Sequence, residues 1–278
     1  MAIGIISDTL CAEDVQRVSL PYGFDVRKTF DCGQCFRFNK NADGMWQGVA
    51  FGKTLVGYTQ GADTVLFCKK EDYLSVWEEF FDLKRDYSLV QASFSHDAQV
   101  ADAAEIGKGI RILKQDKWET LISFIISQNN NIPRIKKIIE AMCELLGEPL
   151  ENGSYSFPTP EKIWSAGAEG LAPIKAGFRV KYILDAAHRV LNGETDLEYI
   201  AALPYEEAEA ELMKIKGVGK KVASCVLLFG YGFLSAFPVD VWVKRVISKY
   251  YPDDFDPKSL GKYAGIAQQY LFNHRRNS

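Results

Sequence analysis

The stretch Leu212 to Lys249, LMKIKGVGKKVASCVLLFGYGFLSAFPVDVWVKRVISK, reads as helix, glycine hairpin, helix, loop, helix. Leu212 and Ile215 fall one turn apart on an apolar face before Gly217-Val218-Gly219 interrupts it. Two glycines around one apolar residue allow backbone angles that a Cβ would obstruct. The chain restarts at Lys220, with Val222, Ala223, Val226 and Leu227 in an apolar stripe at helical spacing. A tight glycine turn that opens a helix aims several unpaired N–H groups at one point, a site for a phosphate oxygen. Lys221 falls in the first turn of the second helix, and Cys225 follows one turn later on the same face. Asp240, after Pro238-Val239, stands where the third helix begins and is a candidate cap. An amine and a carboxylate beside a phosphate clamp point to nucleophilic chemistry on a nucleic acid.

Composition sets the frame for that reading. The chain has 278 residues, 47% hydrophobic and 25% charged, in the range of a soluble globular protein of one or two domains. A net charge of −3 runs against a nucleic-acid partner, which favours basic proteins. The distribution reverses that inference. Between Lys214 and Lys249 seven basic residues (Lys214, Lys216, Lys220, Lys221, Lys244, Arg245, Lys249) face one acidic residue, Asp240. Local charge governs phosphate contact more than the total does. Six scattered cysteines in a chain of this size, and an opening MAIGII without a basic leader or a membrane span, lead to the expectation of a reducing cytoplasm. Cys32 and Cys35 form a lone pair without a second pair or a His cluster, so no metal and no cofactor is expected.

The pattern L-x-x-I-x-G-V-G-x-K-x-A followed by F-P-V-D resembles the helix-hairpin-helix DNA glycosylases with their Gly/Pro…Asp loop. The lysine is the mark of the bifunctional members, and among them the likeness is to the 8-oxoguanine DNA glycosylases. The resemblance implies that Lys221 attacks the deoxyribose anomeric carbon and expels the oxidised base, with β-elimination from the resulting Schiff base. Asp240 then stabilises the positive charge that develops on the sugar. Gly217, Gly219 and Lys220 hold the DNA backbone without reading sequence. Where the family often has His two residues after the aspartate, as a phosphate contact, this chain has Trp242, whose indole donates one hydrogen bond but carries no charge. The iron–sulfur cluster of some relatives has no cysteines here to hold it.

From Phe24 to Lys70, short runs rich in β-branched and aromatic residues (FDVRKTFD, CFRFNK, MWQGVAF, KTLVGYTQ, DTVLFCKK) predict an antiparallel sheet of about five strands; residues 1–20 carry little signal. Within it, Phe30 to Phe38 resembles the family's G-Q-x-F-R-[WF] segment. There the glycine carbonyl accepts N7–H of 8-oxoguanine, a proton that guanine lacks. The matching residue is Gly33, which by itself reads only as a glycine at a strand turn. From Asp72 onward the pattern is helical. Trp118 to Ser127 is apolar nearly all round and predicts a central buried helix, ended by Gln128-Asn129-Asn130-Asn131. N-N-N-I-x-R-I is a family signature and implies that Asn129 enters the duplex and Arg134 reads the opposite cytosine.

Gly177-Phe178-Arg179 precedes an amphipathic helix with Tyr182, Ile183, Ala186 and Val190 on its inner face. In the family the aromatic is a wedge beside the opposite base, often Tyr, and the arginine also contacts that base; Phe178 keeps the stacking plane. Asp256 to Arg275 predicts a last helix. Its Y-A-G-x-A-Q-x-x-L-F likeness assigns Gln268 to the base's Watson–Crick edge, with Phe272 and Cys225 on its two faces. The expected architecture is α+β, with a sheet domain over residues 1–100 and a helical glycosylase domain over 101–278 containing the hairpin (about 206–230) and the Pro-Val-Asp loop (238–240). The expected partner is double-stranded DNA with 8-oxoguanine opposite cytosine, bound by a monomer, with no membrane. The short termini lean toward a bacterial or archaeal enzyme. Two readings compete: a monofunctional alkylated-base glycosylase, which lacks the lysine, and a non-catalytic DNA-binding hairpin, which needs neither Lys221 nor Asp240.

Overall fold

The computed structural model describes residues 14–20, 22–151 and 153–276; Cys11 and MAIGII lie outside them. The chain forms two compact units. One takes the chain through Val49, Lys53–Lys114, and Val239 onward; the other takes Ala50–Gly52 and Gln115–Pro238. This grouping departs from a linear division near residue 100. Its physical reason lies in the last helix, Ala264–Arg276, which packs against Ala98–Ile106 and sets the Tyr270 ring against Gly107.

Five strands, all but Ala50 within the first unit, form one sheet: β1 (Val15–Ser19), β2 (Phe38–Lys40), β3 (Trp46–Ala50), β4 (Lys53–Gln60) and β5 (Asp63–Phe67), in the order β1-β5-β4-β3-β2. β1 and β4 both pair antiparallel with β5, and β2 pairs antiparallel with β3. The β4–β5 hairpin closes through Gly61-Ala62, so Gln60 faces Asp63 across a two-residue turn. Five strands match the expected number, but one member differs. FDVRKTFD is not a strand: Val26–Asp31 is helical, because the Asp25 carboxylate accepts Lys28 N–H at 3.0 Å and caps it. Val26, Thr29 and Phe30 then lie on one buried face at helical spacing. The fifth strand is β1, at the sheet edge, where Val18 alone is buried. An aromatic core packs in this unit, with Phe30 stacked on Phe38 at 3.9 Å and Phe80 and Phe81 alongside. The C-terminal helix begins at Ala264 rather than near Asp256. A 3-10 segment, Pro257–Tyr263, precedes it, and Gly261 there has φ +74°.

In the second unit Lys117–Ser127 buries Trp118 and every residue from Thr120 to Ile126, as its all-round apolar pattern predicts. It packs against Lys220–Gly230, itself buried from Val222 to Phe229, with Phe124 stacked on Phe229 at 5.5 Å. Asn131 caps the next helix, Ile132–Leu146, by accepting Arg134 N–H at 3.0 Å. Among the described residues no helix is long and apolar enough to cross a membrane.

Candidate functional site

The glycine hairpin joins helix Tyr205–Leu212 to helix Lys220–Gly230. Gly217 has φ +83°, and a Cβ there would lie 2.4 Å from the Tyr182 ring, so both backbone and packing require glycine. Gly219 differs. Its φ of −101° suits any residue, and nothing lies within 4 Å of its missing Cβ. The expectation that both glycines serve backbone geometry therefore holds for Gly217 alone. At Gly219 the absent side chain leaves an exposed, approachable backbone. No side chain caps this helix, so the first-turn N–H groups beside Gly219 and the exposed Lys220 face outward.

These two glycines give separable outcomes. Gly217→Ala is expected to destabilise the fold by about 1–3 kcal/mol from the left-handed backbone, and more from the overlap with Tyr182. Gly219→Ala is expected to leave thermal stability nearly unchanged while weakening duplex binding several-fold. Melting curves and fluorescence anisotropy on both variants check this, and equal behaviour of the two would contradict it.

Lys221 lies half-buried in the first turn, its Nζ 5.3 Å from the centre of the Phe124 ring. Phe124 belongs to the buried helix Lys117–Ser127, and no local sequence pattern places it beside the lysine. Cys225 is buried one turn along the same helix.

The hairpin docks onto helix Val180–Leu191: Asp185 Oδ2 accepts Lys216 N–H at 2.7 Å, and Tyr182 packs on Gly217. Tyr182 also meets the exposed Phe178 edge-on, at 6.0 Å. The Arg179 guanidinium lies 4.5 Å from the Phe178 ring centre. Arg179 is 3% exposed, and its nitrogens donate to the carbonyls of Gln128 (Nε, 2.9 Å), Asn129 (Nη2, 2.9 Å) and Ala176 (Nη1, 3.1 Å). Burial, and then the Arg134 charge, lower its pKa from the usual arginine value. In this conformation Arg179 braces the Asn129 loop through these carbonyls. Asn129 itself is exposed with φ +48°, a left-handed conformation that asparagine tolerates. Arg134 is exposed one turn into the next helix. Asn129, Phe178 and Arg179, 50 residues apart in sequence, thus form one cluster.

The first unit carries the remaining candidates. Asp240 caps helix Val241–Tyr250 through a 2.8 Å bond from Val243 N–H to Oδ1; Oδ2 accepts no hydrogen bond from the described residues. After it, Val241 and Trp242 are exposed, and Arg245 lies over the Trp242 ring at 5.1 Å. Lys244, Arg245 and Lys249 line an open groove of about 500 Å³, a surface suited to an anionic polymer. Gly33 has φ +79°, a conformation that favours glycine. Gln268 is buried, and its Oε1 has no hydrogen-bond partner among the described residues. A buried acceptor left open costs free energy unless a ligand fills it, so this atom is a recognition candidate on energetic grounds. Phe272 is half-buried one turn later. Cys32 and Cys35 are buried and not joined in a disulfide, and burial pushes the Cys32 thiol up to about 12. Among the described residues no group of three or more His, Cys, Asp or Glu is placed to hold a metal ion.

Comparison with known proteins adds a second line of observation. Residues 17–121 match the family model of the 8-oxoguanine DNA glycosylase N-terminal domain, and residues 122–261 match that of the HhH-GPD superfamily base excision DNA repair proteins. The N-glycosylase/DNA lyase of Saccharomyces cerevisiae is 38% identical over 159 residues, 52% of this chain and 42% of that protein, so the match spans less than half of that relative. The N-glycosylase/DNA lyase OGG1 of Arabidopsis thaliana is 30% identical over 276 residues, 88% of this chain and 75% of that protein. Among solved structures, the Clostridium acetobutylicum 8-oxoguanine glycosylase/lyase, in complex with double-stranded DNA containing cytosine opposite 8-oxoG, superposes with a TM-score of 0.88. It is 41% identical, with 95% of this chain and 96% of that chain covered.

Proposed function

The chain belongs to the 8-oxoguanine DNA glycosylases of the HhH-GPD base-excision repair superfamily, and from that premise we propose that it excises 8-oxoguanine from duplex DNA and nicks the strand as an abasic-site lyase. The observation that carries the reading is the hairpin with its lysine. A backbone-only phosphate clamp at Gly217 and Gly219 opens the helix that carries a half-buried amine at Lys221.

The reaction begins with extrusion of the damaged nucleotide, at a cost of a few kcal/mol. Phe178 and Asn129, both exposed, are the side chains suited to fill the gap left in the stack, and Arg134 to meet the opposite base. Lys220, Trp242 and the groove of Lys244, Arg245 and Lys249 supply contacts to phosphate. Lys221 Nζ forms a bond to C1′ as the glycosidic bond breaks and the base departs. The C1′–O4′ bond then opens, with O4′ taking up the proton given up by the amine, to leave the C1′=Nζ Schiff base; loss of a C2′ proton expels the 3′ phosphate by β-elimination and cleaves the strand. Asp240 stabilises the sugar's developing positive charge, its Oδ2 being the carboxylate oxygen not engaged in capping.

Base recognition rests on Gly33, Cys225, Gln268 and Phe272. The open Oε1 of Gln268 is an acceptor, and the Watson–Crick edge of 8-oxoguanine offers N1–H and the N2 amino group as donors. The Gly33 carbonyl accepts N7–H, which guanine lacks. A built acceptor facing a missing donor discriminates more sharply than packing does. The protein acts as a monomer in the cytoplasm, and nothing in the proposed chemistry requires a metal or an organic cofactor.

Strand cleavage on duplexes carrying 8-oxoguanine opposite each of the four bases tests the proposal. Cleavage is expected fastest opposite cytosine. Release of 3-methyladenine without strand cleavage would favour the monofunctional reading, and binding without base release the non-catalytic one.

A further inference from the structure

Gln269, next to Gln268 on the C-terminal helix, is 3% exposed and donates its Nε2–H to the Cys32 carbonyl at 2.6 Å. Cys32 immediately precedes Gly33. On the other side of Gly33, the Gln34 side chain is fully buried: its Nε2 lies 2.7 Å from the Arg111 carbonyl and 3.0 Å from the Thr29 carbonyl, and its Oε1 accepts Leu113 N–H at 2.9 Å. Both neighbours of the glycine are therefore anchored by side-chain amides, while Gly33 itself, at φ +79°, has no side chain to hold it.

We propose that Gln269 is a positioning residue for 8-oxoguanine recognition: by gripping the Cys32 carbonyl it fixes the peptide plane that enters Gly33 and so aims the Gly33 carbonyl. Glycine populates both signs of φ with similar ease, so an unanchored Gly33 would spread its carbonyl over several directions. With the entering plane held by Gln269 and the following residue by Gln34, one direction remains. The same hydrogen bond ties the Gly33 turn to the helix that carries Gln268 and Phe272. The acceptor for N7–H and the acceptor for the Watson–Crick edge are thereby set at a fixed spacing by two adjacent residues of one helix. Sequence alone conceals this bond, since its partners lie 237 residues apart.

The inference rests on Gly33 and Gln268 reading the base, and its test separates the two claims. Gln269→Leu keeps the bulk and removes the donor. In the Lys221→Gln background, equilibrium binding is measured for duplexes holding 8-oxoguanine or guanine opposite cytosine. With Lys221 intact, cleavage at a preformed abasic site is measured, a step that needs the amine but no base. Gln269→Leu is expected to narrow the preference for 8-oxoguanine over guanine about tenfold, the scale of one lost orienting hydrogen bond to a buried carbonyl, and to leave abasic-site cleavage within about twofold. An unchanged preference, or an equal fall in abasic-site cleavage from general loss of fold, would overturn the positioning role. A protein with Gln269 intact and no preference for 8-oxoguanine would instead sink the underlying recognition reading.

Discussion

Lys221→Gln is expected to reduce single-turnover excision of 8-oxoguanine by about four orders of magnitude or more, the scale reached when an enzyme loses its covalent nucleophile. Abasic-site cleavage is expected to vanish with it, because both steps pass through the same amine. Glutamine is close in length, and Lys221 makes no ion pair or hydrogen bond with the described residues that its loss would leave unpaired. Thermal stability and duplex affinity are therefore expected to change little, which separates chemistry from folding. The neighbouring Lys220 is the natural control. It is exposed, and Lys220→Gln is expected to weaken binding modestly, as loss of one phosphate contact does, while the chemical step proceeds. Quenched-flow strand cleavage on the two variants decides the matter. Substantial excision by Lys221→Gln would remove the lysine from the mechanism.

Asp240→Asn is expected to separate a structural from a chemical role within one side chain. Its Oδ1 caps helix Val241–Tyr250, and asparagine caps as well as aspartate does, so the variant should keep its melting temperature. The charge is lost, and with it the stabilisation of the cationic sugar, for a fall in excision rate of about 100-fold or more. Asp240→Ala adds the loss of the cap, about 1 kcal/mol, to the same loss of rate. Full activity in Asp240→Asn, with stability lost only in Asp240→Ala, would reduce the residue to a cap.

The parts of this architecture that were legible in the sequence are those written locally. The hairpin, the all-round apolar helix Lys117–Ser127 and the Asn131 cap each depend on residues within a few positions of one another. The misread element was local too: a single capping carboxylate at Asp25 turned β-branched residues into a helical turn, and the propensity of Val26 and Thr29 yielded to it. What sequence could not give is pairing at long range. The edge strand Val15–Ser19 is defined by its partner Phe67 and its neighbours rather than by its own pattern. The bracing of the Asn129 loop by Arg179 spans 50 residues. The return of the C-terminal helix to the first unit, through Gln269 and Cys32, spans 237. Buried amide side chains such as Gln34 and Gln269 carry no periodic signature, because a polar residue at a helical position reads as exposed until its partner is known.

The central claim is a bond between Lys221 Nζ and the sugar of the extruded nucleotide. Borohydride reduction during turnover on an 8-oxoguanine duplex makes that bond permanent, and tandem mass spectrometry of the digested adduct locates it. The adduct is expected on Lys221 and on no other amine. A reduced adduct on Lys220, or base release with no adduct at all, would contradict it.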